Sequence, residues 1–167
     1  KAVISPEALA EKIAAAVEAR QNPDFLNIAR VDSRSMNGFD DAVARANRYV
    51  AAGADMIFPE ALTTAEEFAE FARQVKAPLL ANMTEFGKTP YLTLQEFEGF
   101  GYNLVIYPMT AFRIMMKAVE DGMTRLLQEG TQQGLLEGMT DRAALYRLIH
   151  YQAYEQLDTG LATQFSR

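Results

Sequence analysis

Four short apolar runs, each followed by an amphipathic helical pattern, limit what this chain can fold into more than any other feature. The runs begin near Phe25, Asp55, Pro78 and Asn103, and their apolar centres are Phe25–Ala29, Met56–Phe58, Leu79–Ala81 and Leu104–Tyr107. Each is too short for a stable helix and apolar on both faces, as a strand inside a parallel sheet must be. The segments between them are long enough to bring the chain back to the same edge before the next strand, so consecutive strands run parallel.

The punctuation agrees. Ser5-Pro6-Glu7 opens a leading helix whose Leu9, Ile13 and Val17 form one stripe. Asn22-Pro23 breaks the chain. A helix over Gly38–Ala52 turns Val43, Ala46 and Val50 inward and stops at Gly53. Thr64 with Glu67, and Thr93 with Glu96, have the spacing of capping boxes. The first opens a helix with Phe68, Phe71 and Val75 inward. A long helix is expected over Thr110–Gln128 with Met115, Val119, Met123 and Leu126 inward, and a tail helix over Thr140–Leu157 with Leu145, Leu148 and Ile149 along it. The spacing suits an α/β fold, either a (β/α)8 barrel of TIM type or a doubly wound sheet. The glycine-rich phosphate motifs of nucleotide-binding sheets, G-x-G-x-x-G and G-x-x-x-x-G-K-[ST], are absent. Four units are half of an eight-unit barrel, and a half barrel leaves two sheet edges to be covered.

Composition narrows the function. The 167 residues suit one domain or part of one, and a 49% hydrophobic content is enough for a sizeable core. A formal charge of -6 argues against a general nucleic-acid or membrane-surface binder. Without Cys there is neither a disulfide framework nor a thiolate nucleophile in these residues. No apolar run approaches bilayer length. KAVISPEALAEK reads as a capped amphipathic helix rather than a signal peptide, so a cytoplasmic protein is expected.

Each apolar run delivers polar groups at its carboxyl end: Arg30 and Asp32, then Glu60, then Asn82, Thr84 and Glu85, then Thr110 and Arg113. In a β/α barrel this is the face on which the βα loops build the active site. Arg30 and Arg113 present planar forks suited to carboxylate or phosphate. Asp32 and Glu60 suit a divalent cation, directly or through water, or the orientation of an arginine. Asn82 and Thr84 add neutral donors. The set fits a small, multiply anionic ligand with Mg²⁺, but it lacks the His, Cys or close carboxylate pair of a complete catalytic centre. Plainer roles compete. Arg30 and Asp32 equally read as a pair with each other, and Glu60 as a cap of the next helix. Thr64 and Thr93 read as caps, and Thr110 as a cap or a pocket residue. Met115, Met116 and Met123 read as core filler. Tyr146, Tyr151 and Tyr154 read as packing or subunit contacts, and the lone His150 lies on the tail helix away from the strand ends.

The segments ARVD, DMIFPEA, PLLANMTEFGKTP, YPMTAFR, LQEGT and MTDRAALY, in this order, closely resemble the C-terminal part of the methylisocitrate lyases, in the isocitrate lyase and phosphoenolpyruvate mutase superfamily. FPEA and ANMTEFG mark the superfamily; LQEGT and the Arg142–Tyr146 stretch point towards the methylisocitrate lyases. The resemblance implies a (β/α)8 barrel of which residues 1–167 are the C-terminal four βα units, with about 134–167 a helical extension exchanged between subunits of a homotetramer. It implies that Arg30 binds substrate, that Glu60 sits beside Mg²⁺ through water, and that Asn82, Met83 (through its backbone) and Thr84 bind a substrate carboxylate. Arg113 and Arg142 would clamp carboxylates; only the resemblance picks out Arg142. The implied reaction is a Mg²⁺-dependent retro-aldol cleavage of 2-methylisocitrate, a small tricarboxylate, to pyruvate and succinate in propionate catabolism. The family's catalytic Cys, in a K-[KR]-C-G-H loop, and its metal-binding aspartates precede the matched region, so this chain is expected to be a fragment with no catalytic residue of its own. Isocitrate lyase, oxaloacetate decarboxylase and carboxyphosphoenolpyruvate mutase share the same wall and remain alternatives, as does a non-catalytic assembly fragment.

Overall fold

The structure, a computed structural model, describes residues 2–165; Lys1 and residues 166–167, the ends of the expected domain, lie outside the described residues. The chain divides into two compact units, Lys1–Ile114 and Met115–Arg167.

The first unit is the β-α alternation expected. Helix α1 (Pro6–Ala19) leads into β1 (Ile28–Val31), a single helical turn α2 (Arg34–Asn37) and α3 (Phe39–Ala51). Then come β2 (Met56–Pro59), α4 (Ala65–Gln74), β3 (Leu80–Asn82), α5 (Leu94–Phe100), β4 (Leu104–Ile106) and the start of α6 (Thr110–Glu129). β1 pairs parallel with β2 in the register Ile28↔Met56 to Val31↔Pro59, and β3 with β4 from Leu80↔Leu104 to Asn82↔Ile106. A parallel bridge, Ile57↔Leu79, joins the two pairs. The strands therefore lie side by side in chain order, as in a barrel wall; a doubly wound sheet reverses its strand order part-way. Ala29, Val31, Ile57 and Ala81 are buried with Ile13 of α1, Ala46 and Tyr49 of α3, Phe71 of α4 and Phe97 of α5 in one apolar cluster.

Local chemistry explains the element ends. Ser5 Oγ accepts from Ala8 N at 3.1 Å, and Pro6 starts α1 without wasting a donor. Thr93 and Glu96 complete their capping box. At α4 the box is only half made: Thr64 Oγ1 accepts from Glu67 N at 3.1 Å, but the Glu67 carboxylate turns to Thr63 and Arg34 instead. The first strand begins later than expected. Phe25 and Leu26 are exposed, because the backbone of this segment is tied to the side chains of Arg20 and Asp55: Arg20 donates to Phe25 O (3.1 Å), and Asn27 N donates to Asp55 Oδ2 (2.8 Å).

The second unit holds the rest of α6, a 3₁₀ segment (Gln133–Gly138), α7 (Arg142–Leu148) and α8 (Tyr151–Phe165). Two expectations fail here. Met115, Val119 and Met123 are more than half exposed rather than inward, and no residue of α6 is buried. An apolar stripe says which face of a helix is greasy, not whether the same chain covers it. The tail is two helices rather than one. His150 adopts a left-handed backbone (φ 52°) between them, and the Tyr146 and Tyr151 rings stack across the break at 4.3 Å.

Candidate active site

The polar residues at the carboxyl ends of the strands fall into two groups in the first unit. At β1 and β2, Arg30 makes a two-pronged contact with Asp32 (Nε–Oδ2 2.9 Å, Nη2–Oδ1 2.8 Å). This raises the Arg30 pKa further, so its charge is fixed at any ordinary pH. The guanidinium also lies 5.1 Å above the Phe58 ring. The pairing read from sequence as the plainer alternative is thus present, and it leaves Nη1 without a hydrogen bond among the described residues. Glu60 follows β2 directly. Its amide donates to Val31 O (2.9 Å), extending the ladder by one residue. Its Oε2 lies 3.4 Å from Arg30 Nη2, yet is buried without a hydrogen bond. Glu60 does not cap a helix, since Thr64 occupies that position on α4. The next residue, Ala61, takes a left-handed backbone (φ 61°), uncommon without glycine.

At β3 and β4, Thr84 Oγ1 donates to Asn82 Oδ1 at 2.9 Å, which turns the two side chains into one polar unit. Met83 between them is buried, and its amide donates to Ile106 O at 2.9 Å. That N–H is therefore spent on the sheet, and a backbone contact from Met83 falls to its carbonyl. Thr110 heads α6, and its hydroxyl donates to the Glu85 carboxylate rather than capping the helix. This hydrogen bond, the backbone amide of Glu85 and the nearby Arg113 hold Glu85 below the usual carboxylate range. Arg113 Nε stands 3.4 Å from Glu85 Oε2, and its guanidinium lies 5.0 Å above the Phe86 ring. Glu85 Oε2 and Arg113 Nε are both buried without a hydrogen bond, like Glu60 Oε2. Each of the three nevertheless faces an opposite charge at 3.4 Å, Glu60 Oε2 facing Arg30 and Glu85 Oε2 facing Arg113 Nε, so both are ion pairs looser than a hydrogen bond.

Arg142, in the second unit, is the first helical residue of α7 behind its cap Asp141; it makes no hydrogen bond or ion pair among the described residues. Sequence reasoning missed the contact of Arg34 with Thr63 and Glu67 beside Glu60. Its signal was hidden because a glutamate three residues after Thr64 already had an explanation as a cap.

For a divalent cation the fit is partial. Among the described residues no group of three or more His, Cys, Asp or Glu side chains could hold a metal ion. Both Asp32 oxygens are taken by Arg30, whereas Glu60 offers a buried oxygen with no hydrogen-bond donor. Such an oxygen suits a metal-bound water, a partner one layer out from the metal. Chemically, the wall offers the open fork of Arg113, the remaining Nη1 edge of Arg30, an Asn82 amide oriented by Thr84 and one such carboxylate, groups that suit a small polycarboxylate beside a cation.

Parallel strands in chain order, with their polar groups gathered at the carboxyl ends, define an α/β chain of TIM-barrel type with a polar wall at that end. Residues 1–127 match the phosphoenolpyruvate phosphomutase family, and the chain belongs to that family. Within it, the chain is 55% identical over 162 residues to a 2-methylisocitrate lyase of Aeropyrum pernix, covering 97% of this chain and 52% of that protein. It thus spans about half the length of the curated relatives it matches. Among solved structures, a 2,3-dimethylmalate lyase described as a member of the PEP mutase/isocitrate lyase superfamily superposes with a TM-score of 0.85 at 31% identity, over 95% of this chain and 53% of that one. A phosphonopyruvate hydrolase in complex with oxalate and Mg²⁺ superposes with a TM-score of 0.83 at 26% identity, over 94% and 56%.

Proposed function

We propose that this chain forms the C-terminal four βα units and tail of a 2-methylisocitrate lyase, which cleaves its substrate to pyruvate and succinate with Mg²⁺. The observation that carries the reading is the wall itself: Arg30, Glu60, Asn82, Thr84 and Arg113 stand at successive strand ends in a chain so similar to a lyase of that name. The bare outer strands support the barrel. Ile28 on β1 and Leu104 on β4 are 43% and 40% exposed, as apolar side chains would be where further strands cover them. No helix among the described residues is long and apolar enough to cross a membrane. A cytoplasmic homotetramer with an exchanged tail is part of the same proposal.

In this proposal the chain's side chains bind and orient. Arg113 and the Asn82 amide, oriented by the Thr84 hydroxyl, hold one carboxylate of the substrate, and Arg30 another, through the edge that Asp32 leaves free. Arg142 on the exchanged tail of a neighbouring subunit closes on a further carboxylate. Glu60 would stand one layer from the cation and accept from its bound water, and the cation when bound would supply Lewis-acid stabilisation to oxygens of the pyruvate half. As the carbon–carbon bond breaks, negative charge grows on the succinate half, and fixed arginine and amide donors stabilise it without reorganising. The group that takes the hydroxyl proton and the one that reprotonates the carbanion lie outside this chain.

The test is turnover by the full-length protein of 2-methylisocitrate (read as pyruvate release), isocitrate (glyoxylate release), oxaloacetate (pyruvate release) and carboxyphosphoenolpyruvate (loss of substrate), compared side by side. The expected result is the highest kcat/KM for 2-methylisocitrate and loss of turnover on removing divalent cations. Preference for another of these substrates would assign the protein to that branch.

A further inference from the structure

The loop that carries Glu60 is held from three directions. Glu60 N is bonded to β1 through Val31 O. Leu62 is fully buried, and its carbonyl accepts from Thr89 Oγ1 of the loop after β3 at 2.8 Å. The third hold involves a side chain far away in sequence. Arg34, in the helical turn after β1, donates from Nε to Glu67 Oε2 (3.1 Å), and from Nη2 to Thr63 Oγ1 (2.9 Å) and to Glu67 Oε1. Glu67 Oε2 also accepts from Thr63 N at 2.7 Å. The two charged side chains are 27% and 20% exposed, so the pair is largely shielded from water. Burial alone would raise the Glu67 pKa; the donors from Arg34 and Thr63 outweigh it and keep the carboxylate charged.

This network answers a local difficulty. The turn immediately after Glu60 places Ala61 in the left-handed region, which a residue with a Cβ rarely adopts unless its surroundings impose it. Glu67 gives up its usual cap contact to the backbone of Thr64 and binds one residue earlier, at Thr63, where Arg34 can reach both groups. We propose that Arg34 is a positioning residue for Glu60: by gripping Thr63 and Glu67 together it latches the turn after β2 and holds the Glu60 carboxylate at the metal side of the pocket. The proposal rests on the assignment of Glu60 to the metal side. It requires the forked geometry of arginine, because a lysine ammonium on one flexible stem does not reproduce the planar, fixed set of donors.

The experiment uses the full-length protein with Arg34→Met, Arg34→Lys and Glu67→Gln, beside Glu60→Gln. Two quantities are read: amide hydrogen exchange over residues 60–64 without metal, and the Mg²⁺ concentration that gives half-maximal pyruvate release. For Arg34→Met the expected result is exchange in this loop faster by about tenfold or more, with a Mg²⁺ requirement raised roughly tenfold, the lower end for partners one layer from a metal. Arg34→Lys should recover little of either. If Arg34→Met does not fold, Glu67→Gln, which keeps side-chain size, carries the same two expectations. Unchanged loop exchange in a folded variant overturns the latch. Faster exchange with an unchanged Mg²⁺ requirement overturns the link to Glu60, provided Glu60→Gln itself raises that requirement. A Glu60→Gln protein with a normal Mg²⁺ requirement overturns instead the placement of Glu60 beside the metal, and the functional half of the proposal with it; the exchange rates still decide the latch.

Discussion

Arg30 and Arg113 carry the same charge but are held differently. Arg30 is clamped by both oxygens of Asp32. Arg113 rests on the Phe86 ring, with Glu85 near its Nε and no hydrogen bond from its guanidinium among the described residues. It is therefore the wall cation most free to give two parallel hydrogen bonds to a substrate carboxylate. Arg113→Lys keeps the charge and loses one of the two. A charge-assisted hydrogen bond contributes about 1.5–3 kcal/mol, so kcat/KM in the full-length enzyme should fall roughly ten- to hundredfold. Steady-state kinetics with an unchanged melting temperature would locate the loss in binding or chemistry; an unaltered kcat/KM would remove Arg113 from the site. The residue types beyond the strands were legible in the sequence, since they follow each apolar run directly along the chain. The partnership of Arg34 with Glu67 was not, because ion pairs 33 positions apart leave no local pattern.

Among the elements, α4 and α5 are seated together by aromatic rings. Phe68 and Phe97 meet edge to face at 5.2 Å, and Tyr102 packs 5.5 Å from each. The Tyr102 hydroxyl is buried in this cluster without a hydrogen bond, and burial pushes its pKa well above the ordinary tyrosine value. Tyr102→Phe removes an unsatisfied polar atom and keeps the ring contacts. It should leave stability unchanged or improve it by up to about 1 kcal/mol, read as an equal or higher melting temperature of the full-length protein. A clear fall would mean that the hydroxyl has a partner beyond the described residues. Helix existence and cap residues were readable from spacing at α1, α4 and α5, where short-range chemistry decides. The split between α7 and α8 was not, because it depends on a left-handed His150 and on two tyrosine rings finding each other.

At the scale of the whole molecule, the chain keeps apolar surface uncovered in both units. Ile28 and Leu104 are exposed on the outer strands of the first, and Met115, Val119 and Met123 are exposed on α6 in the second. The proposal that the tail serves a neighbouring subunit makes a direct prediction. Deleting the residues from Thr140 onward in the full-length enzyme should abolish pyruvate release and reduce oligomer size together, as followed by enzyme assay and sedimentation. A truncated enzyme that stays tetrameric and active would show that neither the assembly nor the site needs the tail. What the sequence determined by itself was whatever depends on near neighbours: the alternation of strand and helix, the caps at Ser5, Thr64 and Thr93, and the delivery of polar residues to one end of each strand. The tertiary structure alone decided the strand order, the diversion of Glu67 to Arg34, the commitment of the Met83 amide to Ile106, and the bare face of α6. Periodicity fixes which way a side chain points from its own backbone, whereas these outcomes turn on which distant group arrives opposite it.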